Sequence, residues 1–245
     1  MALVDELIAE LAPGLEIPAN VDKDYAFRGL MAIQEPQKLS VEFYRKQNGY
    51  LQEKLHRKGV TCLEDLSPIS NQLYLWQGDI TTLAVDGIVN AANSQLLGCF
   101  VPNHRCIDNA IHCQAGLQLR MACAELMVEQ GHLEPTGQAK ITLAYNLPSK
   151  YVLHTVGPII QGKPSLEQMR ELASCYQSCL ELAVERGLTS LAFCCISTGE
   201  FHFPNELAAQ IAVKTVKDFC HNHPDLKIVF NVFKDEDWEI YKTLI

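Results

Sequence analysis

The 245-residue sequence has no apolar run of 18 residues or more, so it offers no candidate helical membrane span. Its first ten residues, MALVDELIAE, carry Asp5, Glu6 and Glu10 and no cation, the opposite of a secretory signal. Positive charge is scarce: 20 Lys+Arg against 29 Asp+Glu give a net charge of −9. A protein that tracks nucleic-acid phosphates needs a basic footprint, so that class is disfavoured. A small anionic ligand held by backbone N–H groups is not excluded, because those donors need no basic side chain. Ten cysteines are too sparse for a disulfide scaffold in a chain of this length. Without an export signal they read as reduced thiols, buried thiols or metal ligands, and the expected compartment is the cytoplasm. There is no internal repeat and no low-complexity tract. A hydrophobic content of 48% supports a packed core rather than disorder.

The length fits one large domain, or one domain with an extension, at roughly 150 residues per domain. Residues 1–70 alternate short amphipathic stretches with Pro13-Gly14, Pro18, Pro36 and Ser67-Pro68. From Val41 to Lys58, apolar residues at 43, 44, 50, 51 and 55 approach helical spacing, although Asn48-Gly49 weakens that helix. Thr61-Cys62-Leu63-Glu64 reads as a capping box opening a short turn. Residues 1–70 are therefore expected to form a helical extension packed on a domain spanning 71–245.

From Leu73 the pattern becomes strand, loop, helix. Strands are expected at Leu73–Gln77, Gly87–Ala91, Ala139–Leu143, Tyr151–Val156, Leu191–Ile196 and Lys227–Phe233. Helices are expected at Ile107–Gln130, Leu166–Arg186 (stopped by Gly187) and Asn205–Phe219. This alternation predicts an α/β fold, three layers with helices on both sides of a mixed central sheet. Ligands of such folds bind at the carboxyl ends of the strands.

Three loops at such ends have unusual content. Gln77-Gly78-Asp79-Ile80-Thr81 follows the first strand, and its Asp79 is equally suited to capping a turn. Asn90 to Cys99 places small residues between Asn90 and Asn93, which admits a ligand close to the backbone or makes an Asn-rich turn. Ser197-Thr198-Gly199-Glu200-Phe201 sits between an apolar strand and a helix, a layout that presents N–H groups to a phosphate.

Together the segments QGDIT, IVNAAN, LLG, IDNAIH, AG, QLR and STGEFHFP, in that order, resemble the macrodomain, an ADP-ribose-binding fold. The resemblance runs from about Leu73 to the C-terminus, roughly seven-tenths of the chain. Where many macrodomains have a run of glycines, this sequence reads Gly98-Cys99-Phe100-Val101-Pro102-Asn103-His104-Arg105-Cys106-Ile107-Asp108. By spacing alone the two cysteines and one histidine are a metal set, a redox pair beside a surface His, or plain loop residues. Thiolate and imidazole are preferred zinc ligands, and three of them leave the open position of a catalytic site. The segment resembles the zinc-dependent macrodomains, a bacterial and fungal subgroup that removes ADP-ribose from proteins. That subgroup commonly carries an N-terminal helical extension.

The resemblance implies a Zn²⁺ cofactor on Cys99, His104 and Cys106. It implies adenine recognition by the Asp79 carboxylate and the Ile80 backbone, with Phe233 stacking on the base. Phe233 is alternatively a core residue. It implies distal-ribose contact by Asn93, pyrophosphate binding by Ser197, Thr198, Gly199, Glu200 and Phe201, and a catalytic pair of Asp108, as carboxylate, and Asn93. Asp108 is alternatively a helix cap, and Asn90 is read as holding the loop. His112 is expected to satisfy a core or loop hydrogen bond, with Cys113 beside it on a helix. Cys194 and Cys195 are expected as buried small hydrophobes, and Cys175 and Cys179 as core or surface thiols. His221 and His223 read as a helix terminus and turn. The expected activity is zinc-dependent removal of mono-ADP-ribose from proteins modified on acidic residues. The alternatives are a non-catalytic ADP-ribose reader and an O-acetyl-ADP-ribose deacetylase. By resemblance the partners are an ADP-ribosylated protein, such as a lipoylated carrier related to the glycine-cleavage H protein, and a sirtuin-type ADP-ribosyltransferase.

Overall fold

The computed structural model describes residues 2–245. Three helices come first: α1 (Leu3–Leu11), α2 (Lys23–Ile33) and α3 (Val41–Lys58). The Asp22 carboxylate caps α2 through the Tyr25 N–H, and the Ser40 hydroxyl caps α3 through the Phe43 N–H. Helix α3 runs unbroken through Asn48-Gly49. The cost of a mid-helix glycine, about 1 kcal/mol, is outweighed by burial of Phe43, Gln47, Tyr50 and Leu51 on one face. These helices form a core of their own, with Leu7, Phe27, Met31, Phe43 and Leu51 closing on Cys113 and Leu117 from the following domain.

Short strands β1 (Thr61–Cys62) and β2 (Pro68–Ser70) follow, then β3 (Leu73–Gln77), β4 (Leu83–Ala84) and β5 (Gly87–Ala91). The expected capping box falls one residue later: Asp65 accepts the Cys62 N–H at 2.7 Å. Thr61 is committed to β1, which pairs in parallel with β4. The expected helix 107–130 is two helices, α4 (Ile107–Ala115) and α5 (Leu117–Gln130). Gly116 separates them at φ +96°, a conformation that favours glycine, and buried Gln47 of α3 accepts the Leu117 N–H at 3.0 Å. The chain continues with β6 (Ala139–Leu143), β7 (Tyr151–Thr155), α6 (Leu166–Glu185), β8 (Ser190–Phe193), α7 (Asn205–Cys220), β9 (Lys227–Val232) and α8 (Asp235–Leu244). Helix α8 has no counterpart in the sequence reading. Its acidic first turn suits the helix dipole, and Tyr241 inserts into the main core.

The seven-stranded sheet has the order β2-β3-β9-β8-β5-β7-β6. Its five inner strands are parallel, and β2 and β6 are antiparallel edges. Every residue of β8 and the first four of β5 are buried, so helices cover both faces. Helix α4 packs on β5, and α6, α7 and α8 pack side by side. The parallel strands all end on one edge, and β8 ends at Phe193 rather than Ile196 because the chain turns there into its loop. No described helix is long and apolar enough to cross a membrane.

Candidate active site

The loops after β3, β5, β8 and β9 emerge from adjacent parallel strands and share the carboxyl edge of the sheet. At one end, Asp79 accepts the Thr81 N–H at 2.9 Å and the Thr81 hydroxyl at 2.6 Å through Oδ1. Its other oxygen pairs with Lys58 at the end of α3. Burial pushes the Asp79 carboxyl up, but Lys58 and Thr81 together hold it below its ordinary value. Phe233, just past β9, is 76% exposed, which excludes the core alternative. Gly78 donates its N–H to Val232 O at 3.0 Å, so Asp79 and Phe233 leave the sheet side by side.

The loop after β5 is tightly organised. Asn93 Oδ1 accepts the Gln95 N–H at 3.0 Å, and Asn93 Nδ2 reaches Gly98 O at 3.0 Å and Asp108 Oδ2 at 3.4 Å. Buried Asn90 donates to Asp108 Oδ1 at 2.8 Å. Asp108 is therefore held through both oxygens by asparagine amides. It is not the cap of α4: that role falls to Cys106, whose sulfur accepts the Asn109 N–H at 3.4 Å. Burial pushes the Asp108 carboxyl up to about 6 against the opposing pull of Asn90 and Arg120.

Between these asparagines and α4, the donor atoms of Cys99, His104 and Cys106 all lie within 4.8 Å of one another. Cys99 Sγ is 3.5 Å from His104 Nδ1, and His104 Nε2 faces Glu200 Oε1 at 3.5 Å. Burial drives the Cys106 thiol up to about 12, and the nearby Cys99 sulfur adds to the effect. Two sulfurs and one imidazole, with a carboxylate behind the far ring nitrogen, are the donor chemistry and backing that zinc sites use. The residues present fit such an ion.

The loop after β8 contributes Ser197 to Phe201. Ser197 is buried at φ +65° and its backbone carbonyl accepts the Phe203 N–H at 2.9 Å. Phe201 O accepts from Ile160 N at 2.8 Å, and Thr198 Oγ1 donates to Cys195 O at 3.0 Å. Among the described residues, the backbone N–H groups of Gly199, Glu200 and Phe201 find no acceptor. Unpaired N–H groups in a tight turn before a helix form an anion-binding concavity.

Some residues behave otherwise than their sequence context suggests. His112 is buried, yet neither ring nitrogen has a hydrogen-bond partner. It lies under Gly98, where an added Cβ would sit 2.7 Å from His112 Cγ. Cys113, Cys175, Cys179 and Cys194 are buried, and Cys195 is partly so. The sequence reading missed His154, which lies with His112 and Cys123 in a second buried cluster. Its signal was a histidine in the otherwise largely apolar strand YVLHT.

The Macro domain family matches residues 89–212. A curated protein from Treponema medium, named protein-ADP-ribose hydrolase, is 54% identical over 238 residues, 95% of this chain and 91% of that protein. The Oceanobacillus iheyensis macrodomain with MES bound is 39% identical at a TM-score of 0.65, covering 73% of this chain and 93% of that one. The Trypanosoma brucei macrodomain in complex with ADP-ribose is 29% identical at a TM-score of 0.68, covering 94% and 96%. With loops of matching order gathered on one sheet edge and relatives aligned over nearly its whole length, this chain belongs to the Macro domain family.

Proposed function

We propose that this protein hydrolyses mono-ADP-ribose from modified proteins, with acidic side chains as acceptors and Zn²⁺ as cofactor. The observation that carries the reading is the convergence of Cys99, His104 and Cys106 beside the Asn93–Asp108 contact. Support for hydrolysis comes from the Treponema medium relative named protein-ADP-ribose hydrolase. Support for the ligand comes from the Trypanosoma brucei macrodomain bound to ADP-ribose.

In this reading the Asp79 carboxylate accepts the adenine amine, the Ile80 backbone donates to the ring, and exposed Phe233 stacks on the base. Free N–H groups of the 197–201 loop bind the pyrophosphate. Asn93 holds a hydroxyl of the distal ribose. Asp108, ionised near neutrality and fixed by two amides, orients water and takes its proton. Water adds one hydroxyl and one proton across the bond, giving free ADP-ribose and a free carboxylic acid. Zn²⁺ on Cys99, His104 and Cys106 would supply Lewis acidity to an oxygen at the reacting centre. A non-catalytic reader gains nothing from an open thiolate–imidazole set or from a carboxylate aligned by two asparagines.

A sirtuin-type transferase as the source of the modification and a lipoylated carrier as its bearer belong to the same proposal and rest on the motif resemblance. A cytoplasmic setting belongs to the same proposal.

The test compares zinc-loaded wild type with Cys106→Ala on a protein mono-ADP-ribosylated at acidic residues. The expected result is release of ADP-ribose by wild type only, with the variant folded and still binding ADP-ribose. Equal release by both removes the metal from the reaction. Binding without release by either returns the protein to the reader class. A parallel assay on O-acetyl-ADP-ribose separates the deacetylase reading.

A further inference from the structure

Helix α2, far from Asp108 in sequence, lies against the loop that carries the three donors. Gly29 faces Asn103 so closely that an added Cβ would sit 2.9 Å from Asn103 Nδ2. That nitrogen donates to Tyr25 O at 3.1 Å, so the tip of the loop hangs on the backbone of α2. Beside it, Arg28 Nη2 donates to Asn109 Oδ1 at 3.1 Å. The amide of Asn109 passes this hold on, donating to Cys99 O at 3.3 Å and Val101 O at 3.1 Å. Its backbone N–H reaches Cys106 Sγ. Asn109 thus touches both cysteine positions, and its orientation is set from α2.

The other end of α2 is tied to the start of the same loop. Buried Arg120 donates to Met31 O at 2.9 Å and to Gln34 O, placing a cation on the carbonyls at the C-terminal end of α2. It also donates to Leu97 O at 2.7 Å and lies 4.5 Å from the centre of the Phe100 ring. Leu97 and Phe100 flank Gly98-Cys99. Ties at both ends of α2 therefore reach the segment 97–109.

We propose that helix α2 is part of the metal site: through Arg28–Asn109, Tyr25–Asn103 and Arg120 it fixes the loop in which Cys99, His104 and Cys106 converge. The N-terminal segment then sets metal affinity as well as fold stability. This rests on reading the three residues as metal ligands. The physical ground is preorganisation. Without the ties, ordering this loop has to be driven by the metal itself, which lowers the apparent affinity. Arg28 and Asn109 are positioning residues, since neither offers a ligand atom to the cluster.

The experiment measures Zn²⁺ affinity by chelator competition, the visible spectrum of the Co²⁺-substituted protein, and Tm. Wild type is compared with Arg28→Ala, Arg28→Lys, Gly29→Ala and the control Lys46→Ala. Lys46 ties α3 to Glu6 and Glu10 of α1 and makes none of the contacts above. Loss of a group that orients metal ligands typically costs about 10–100-fold in affinity. Arg28→Ala is expected to fall in that range with altered Co²⁺ bands, and Arg28→Lys to recover part of it. Gly29→Ala improves helix propensity, so its Tm should hold or rise while its metal affinity drops by displacement of Asn103. Lys46→Ala should bind metal as wild type does. Unchanged affinity and spectra in Arg28→Ala and Gly29→Ala overturn the proposal. So does an equal loss in Lys46→Ala, which would show a general stability effect. A wild type that takes up no metal overturns the metal reading itself, and this inference with it.

Discussion

Asn90 lies 2.8 Å from Asp108 through an amide nitrogen that also lies 3.3 Å from His154 Nδ1. An amide nitrogen only donates, so His154 accepts at Nδ1 and carries its proton on Nε2. That proton is directed at Thr142 Oγ1, 2.9 Å away. Asn90 and His154 are register partners on β5 and β7, and Thr142 lies on β6. The position of Asp108 is therefore referred, through one asparagine, to three consecutive strands.

Asn90→Ala removes the nearer of the two donors on Asp108 and leaves Asn93 at 3.4 Å. A base displaced from its water loses much of the general-base contribution, so kcat should fall by about 10²-fold. ADP-ribose affinity, carried by the other loops, should change little. Single-turnover release and equilibrium binding on the same preparation check this. An unchanged kcat would show that Asp108 needs no alignment by Asn90.

Gly157 packs so closely under the 197–201 loop that an added Cβ would overlap Ser197 Oγ and approach Ile196 Cγ2 at 3.0 Å. Its φ is not in the left-handed region, so the constraint is space. Gly157→Ala should push the loop away and weaken ADP-ribose binding by about 10-fold or more, the loss of roughly one charge-assisted hydrogen bond. Ser197→Ala removes only a hydroxyl that has no partner, and should be much milder. Calorimetric titration with ADP-ribose orders the two, and the reverse order would mean that side chains, not backbone N–H groups, hold the phosphates.

The parts readable in the sequence are those encoded locally. Strand–loop–helix alternation gave the layers, and Cys99, His104 and Cys106 lie within one short segment, so a single loop conformation suffices to bring them together. The unread parts are long-range. Asn90 and His154 are 64 residues apart and meet only because β5 and β7 pair in one register. Tyr25 and Asn103 are 78 residues apart, and nothing in either neighbourhood announces the other. The break at Gly116 was hidden because the apolar pattern continues across it, and Gln47, which caps α5 from α3, lies 70 residues away.

The buried histidines make a prediction about acid. Burial pushes His154 down to about 3 and drives His112 well below its ordinary value. An unfolded histidine titrates near 6.5. Between the two values the unfolded chain binds the extra proton, so the contribution is complete above about pH 6.5 and is lost as pH falls. Each such histidine costs about 1.4 kcal/mol of stability per pH unit across that window. Asp108, raised to about 6, works the other way: below that pH it takes its proton on the folded chain and offsets about one histidine. Urea midpoints should therefore decline from about pH 6.5 downward, with a net slope of about one proton below pH 6. His154→Gln should make the decline shallower by one proton. An identical slope in that variant would mean that His154 is not held neutral in the folded protein.

Asp79 offers a test of base recognition that does not depend on turnover. Its Oδ1 is committed to the N–H and hydroxyl of Thr81, and only Oδ2, beside Lys58, faces outward. In Asp79→Asn the Thr81 N–H still requires an acceptor, which fixes the amide oxygen inward and turns Nδ2 towards the base. A donor then meets the exocyclic amine of adenine, where an acceptor stood before. Losing a hydrogen bond to a charged acceptor costs about 1.5–3 kcal/mol, roughly 10–150-fold in affinity. The same outward N–H₂ suits the carbonyl of hypoxanthine, although the N1–H of that base opposes the Ile80 N–H, so the wild-type preference for ADP-ribose over inosine-diphosphate-ribose should narrow in the variant. Titration of both nucleotides into both proteins checks the narrowing. Equal weakening of the two would mean that Asp79 shapes the loop through Thr81 and does not touch the base.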